Sequence, residues 1–177
     1  MKLRNTSAYL FSGLVLAACS GAGYQLTDDG MGVVVSVDQA QPTEVRKVRV
    51  EVMGEKLFHV SATPERKFSE SPSLIVVPQK QKTDFKINEK EDEIVVETSQ
   101  VSAVVSRTTG QVRFFDAQGN LILAEDSRTF RPIEVEGTKA YSVHQTFLSA
   151  DESEGWYGLG QHQADEFNYK GKNEELF

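Results

Sequence analysis

One cysteine, one tryptophan and three histidines are all that 177 residues contain of these types. A single cysteine excludes an intrachain disulfide, so the fold must rest on its core. The histidines, His59, His144 and His162, stand far from one another and from Cys19. No metal-ligand spacing results, and no metal or cofactor is expected. A basic patch is missing too. The formal net charge is −7, and the positive residues of Arg46-Lys-Val-Arg49 alternate as the outward side of a strand would. Phosphate backbones need clustered cations, so nucleic acid is not an expected partner. The chain also lacks a phosphate-cradling glycine loop, a Gly-x-Ser-x-Gly elbow and a convincing window of helical period.

What is present begins with a processed leader. Lys2 and Arg4 precede an apolar run of 11 residues, Ala8–Ala18. That run is too short to span a bilayer as a stable anchor. It closes on Leu16-Ala17-Ala18-Cys19, which resembles the lipobox of bacterial lipoproteins. The resemblance implies a signal peptide over residues 1–18, lipid on Cys19, and an exported protein held at the cell envelope, on the outer membrane or facing the periplasm. Its membrane contact would be a lipid anchor. Residues 19–30, which include three glycines and two aspartates, read as a tether.

From residue 31 onward period two dominates. In Glu44–Val52, Val48, Val50 and Val52 share one face while Lys47, Arg49 and Glu51 share the other. This is the pattern of a half-buried antiparallel strand. Similar strands are expected over Lys56–Ala62, Ser73–Val77, Ile94–Thr98, Val101–Val105, Gln111–Phe115, Leu121–Ala124, Phe130–Val135 and Ala140–Leu148. The turns between them carry Gly or Asn, as at Thr109-Gly110, Gly119-Asn120 and Glu136-Gly137. Many short strands with turn signals between them predict an all-β fold, an antiparallel β-sandwich in one domain over 31–177.

The segment Glu154–Asn173 differs in kind. It sets Gly155, Gly158, Gly160 and Gly171 among Trp156, Tyr157, Gln161, His162, Gln163, Asn168 and Tyr169. Glycines let backbone bend sharply or approach a surface, and aromatic rings beside amides suit the C–H faces and hydroxyls of a sugar. Tyr157-Gly-Leu-Gly-Gln161 resembles an element near the end of the N-terminal β-sandwich of glycoside hydrolase family 31. The strand–turn–strand Thr109-Gly-Gln-Val-Arg-Phe-Phe-Asp-Ala-Gln-Gly-Asn-Leu121 is similar to that domain as well, in the same order along the chain.

The resemblance implies a galactose-mutarotase-like N-domain, incomplete at its C-terminal end. It implies the non-catalytic part of a retaining α-glycosidase, an α-xylosidase or α-glucosidase of carbohydrate catabolism. The catalytic barrel would be absent from this chain and its partner; an α-linked oligosaccharide would be bound through the parent enzyme. Such enzymes use two carboxyl groups, one as nucleophile and one as acid. The family's nucleophile stands in Trp-x-Asp-Met, whereas Trp156 is followed by Tyr157-Gly158, so no catalytic residue is assigned. The 26 acidic residues read mostly as a solvated face. Substrate-contact candidates are His162, Gln163 and Trp156. Packing against the barrel is the competing reading for each. Two other roles stay open for the whole chain: a free-standing carbohydrate-binding lipoprotein, or a gene fragment without independent function.

Overall fold

A computed structural model describes residues 23–71, 81–149, 151–158 and 167–172. Among them are ten strands and no helix. Four make one antiparallel sheet in the order β1 (Tyr24–Leu26), β2 (Gly32–Ser36), β3 (Lys47–Gly54), β4 (Leu57–Thr63). Six make the other: β5 (Lys86–Glu89), β6 (Glu93–Glu97), β7 (Val101–Ser106), β8 (Val112–Asp116), β9 (Leu121–Val135) and β10 (Thr138–Leu148), each paired with its sequence neighbour. The two sheets pack face to face, so the expected all-β sandwich is the observed one.

The seam between the sheets is almost entirely valine. Val33, Val35, Val48, Val50 and Val52 from the first sheet and Ile94, Val96, Ala103 and Val105 from the second are fully buried. Period-two strands place every second residue on one face, and burying each of these valine or isoleucine side chains is worth roughly 1.5–3 kcal/mol. Rim hydrogen bonds lock the sheets together. The Thr98 hydroxyl donates to the Glu55 carbonyl at 2.6 Å, and the Gly23 N–H donates to the Glu89 carboxylate at 2.8 Å. Gly110 sits at φ 70°, and a Cβ there would come within 2.3 Å of Val45. A left-handed turn against the core therefore requires glycine at this position.

Two expectations need correction. The tether over 19–30 is not free chain throughout, because Tyr24–Leu26 pairs with Val33–Val35 as β1. Three residues are too short to show a period, and only Tyr24 reaches the core. The strands expected separately over Leu121–Ala124 and Phe130–Val135 are one continuous β9. The polar stretch between them, which suggested a break, instead holds a buried ion pair. Arg128 meets Glu125 at 2.6 Å with side chains 8% and 2% exposed. Glu125 also accepts from the Val112 N–H at 3.1 Å and from the Gln145 amide at 2.8 Å. These contacts satisfy a charge that burial would otherwise penalise heavily. Desolvation holds the Arg128 pKa below its ordinary value, opposed by the carboxylate beside it. The strand expected over Ser73–Val77 lies outside the described residues.

Candidate functional site

The glycine and aromatic segment follows directly from β10. Asp151 opens it with a tight turn: its carboxylate accepts from the Ser153 N–H at 2.6 Å, the Ser153 hydroxyl at 2.5 Å and the Glu154 N–H at 3.1 Å. The Ser153 hydroxyl, above all, holds the Asp151 pKa below the usual carboxylate range. Carboxylates that accept several such bonds favour their ionised form. The Lys170 ammonium donates to the Asp151 carbonyl at 2.5 Å and ties the start of the segment to its end.

Asn168 is the organising side chain. Its carbonyl oxygen accepts from the Trp156 N–H at 2.9 Å and the Lys170 N–H at 3.0 Å. The Tyr169 N–H returns a bond to the Trp156 carbonyl at 2.8 Å. Trp156 is thus fixed at its backbone from both sides. Its ring, half-buried, lies 5.3 Å from that of Phe147 on β10, tilted by 39°. Tyr157 turns away and stacks on Phe167, centroid to centroid 4.9 Å. Both of those rings face solvent, 59% and 81% exposed. The Tyr157 hydroxyl end lies over Gly155, where a Cβ would require that exposed ring to move aside.

Of the three contact candidates, the structure describes Trp156. His162 and Gln163 lie outside the described residues, as does Cys19. His59 bonds Glu51 through Nδ1 at 2.9 Å on the outer side of the four-stranded sheet. No group of three His, Cys, Asp or Glu among the described residues could hold a metal ion. Asn168 was visible in the sequence as one amide among aromatics, but its two backbone partners, twelve residues back and two ahead, were not.

Residues 47–177 match the family model described as the glycosyl hydrolase 31 N-terminal galactose mutarotase-like domain. The chain belongs to this family. Within the family-31 domain the fold is also close to solved structures. A GH31 α-xylosidase from Xanthomonas citri superposes with a TM-score of 0.71 at 38% identity, over 80% of this chain and 15% of that one. A GH31 α-xylosidase from a soil metagenome, complexed with xylose, superposes with a TM-score of 0.62 at 25% identity, over 84% and 24%. A curated relative, alpha-glucosidase 2 of Bacillus thermoamyloliquefaciens, is 25% identical over 114 residues, which are 64% of this chain and 14% of the relative. The family-31 domain therefore spans less than a quarter of each of these proteins.

Around the site, the family-31 domain leaves a good deal of apolar surface open. Leu148 and Val143 on β10 are each more than half exposed, as are Tyr157 and Phe167; Val135 is equally exposed at the far end of the ribbon. Isolated exposed apolar residues are ordinary; several along one ribbon and its adjoining segment suit a packing surface.

Proposed function

We propose that this domain is the non-catalytic N-terminal part of a retaining α-glycosidase of the α-xylosidase or α-glucosidase type, bracing the catalytic barrel and edging its sugar pocket. The observation that carries the reading is the Xanthomonas similarity: high across this chain, yet confined to 15% of an α-xylosidase. The exposed ribbon and the Trp156–Phe147 pair support a seam with the rest of the enzyme. In this reading His162 and Gln163 are candidate sugar contacts at that seam, and Trp156 chiefly packs. The substrate of the parent enzyme is an α-linked oligosaccharide. Purified residues 19–177 are expected to show no turnover of nitrophenyl α-xyloside or α-glucoside. Clear turnover would mean that the chain carries its own catalytic carboxylates and would overturn the proposal.

The leader belongs to the same reading. Cys19 is the lipidation site of an exported lipoprotein, supported by the charged start, the apolar run and the Leu-Ala-Ala-Cys sequence. Metabolic labelling with a fatty acid is expected to mark the full-length chain and to vanish in Cys19→Ser. Equal labelling of both would refute the anchor.

A further inference from the structure

The outer face of the six-stranded sheet is neither flat nor uniformly charged. Over β5–β8 it forms an open groove of about 1130 Å³. That is larger than an ordinary enclosed ligand pocket, as an open groove can be, with room for more than one sugar ring. The pairing register explains its floor. Asn88, Val95, Val104 and Arg113 stand side by side across four strands. Val95 and Val104 are 9% and 7% exposed, although they point away from the core seam. One step along the strands, Lys86, Glu97, Ser102 and Phe115 make the next row. An aromatic ring therefore adjoins a hydroxyl, and an apolar floor runs beside amide, carboxylate and guanidinium groups.

These polar groups are held in place. The Arg113 guanidinium is ion-paired to Glu93, and its carbon lies 5.7 Å from the Phe115 ring centroid. Arginine has five N–H donors, so the pair leaves others free in direction. The Asn88 amide donates to Glu97 at 3.4 Å, leaving the second carboxylate oxygen as an acceptor. Four carboxylates and three cations line the groove, so its charge nearly cancels. That balance disfavours a polyanion or a polycation. The alternation of donors and acceptors gives little to a lipid chain. A neutral polyhydroxylated ligand fits both: C–H faces against Phe115 and the valines, hydroxyls against Arg113, Glu97 and Ser102.

We propose that the outer face of β5–β8 is a binding groove for a neutral oligosaccharide, separate from the Trp156 segment. The separation follows from strand order, because Trp156 packs on β10, at the other end of the sheet. The groove would hold a glycan chain on the domain without cleaving it. It goes beyond the bracing role and stands or falls independently of it.

The test is an amide-shift titration of the full-length chain, or of residues 19–177, with xyloglucan oligosaccharides and with malto-oligosaccharides at millimolar sugar. Shifts are expected on β6, β7 and β8. Ser102→Arg, which fills the groove without touching the core, is expected to weaken binding at least about tenfold. Phe115→Ala is expected to weaken it comparably, and Val143→Ser, on β10 and outside both sites, to leave it unchanged. Unchanged thermal unfolding of Ser102→Arg guards against a loss caused by misfolding. No shifts on these strands with either sugar, or shifts confined to residues 151–172 and abolished by Trp156→Ala, would overturn the groove.

Discussion

The sandwich seam and the β9–β10 ribbon are built on opposite rules. At the seam, valines from both sheets, with Ile94 and Ala103, are closed off from water. Along the ribbon, Phe130 alone joins the core cluster as a buried residue, while Val135 and Val143 are each 53% exposed. What fixes the ribbon at its base is polar: Glu125, Arg128, Gln145 and the Val112 N–H. The seam can supply folding energy within this chain. The ribbon leaves apolar side chains exposed and is placed by a buried ion pair.

The sharpest way to break this contrast is at the buried pair. Glu125→Ala leaves Arg128 charged and enclosed, and is expected to cost about 3–5 kcal/mol in denaturant unfolding. Replacing Glu125 and Arg128 together with Leu and Met should cost clearly less than Glu125→Ala alone. If the single and double variants are equally unstable, the ion pair does not hold the ribbon. At the seam, Ile94→Ala opens a cavity between the sheets and should lose about 2–5 kcal/mol by the same measurement. On the ribbon, Val143→Ser should change stability by no more than about 0.5 kcal/mol. A large loss there would show that Val143 is already packed, and the comparison would fail.

The smallest effect sits at the β8–β9 turn. Asp116 accepts from the Asn120 side chain at 2.9 Å and from the N–H groups of Asn120 and Gln118 at 2.8 and 2.9 Å. Its pKa is lowered, chiefly by the Asn120 side chain. A carboxylate with a depressed folded pKa stabilises above its unfolded value, and that contribution fades as pH falls through the folded one. An NMR titration should therefore find Asp116 below the ordinary aspartate value of 3.8 and find it raised in Asn120→Ala. An identical titration in both proteins would remove Asn120 as the cause.

Much of the seam was legible in the sequence because its strands alternate strictly. In β3, Val48, Val50 and Val52 leave no other choice of face. β9 was harder. Its charged middle looks like a turn until Glu125 and Arg128 are seen to neutralise each other inside the fold. The site was legible in part. Glycines around Trp156 marked a special segment, but Asn168 does its work through backbone contacts that no residue pattern announces. The outer groove was harder still. Alternation says that Glu93, Arg113 and Phe115 face outward; only the register of three strands makes them neighbours.

The early start of β1 has a mechanical consequence. Tyr24 is already hydrogen-bonded into the first sheet. An acyl chain on Cys19 would then connect to the sandwich through a leash of about five residues, at most roughly 18 Å when fully extended. Such a leash is too short to let the domain roam above a bilayer. It would hold the β1 edge close to the lipid headgroups and restrict the directions in which the ribbon and the outer groove can point, so the anchor would act as an orienting device as much as a mooring.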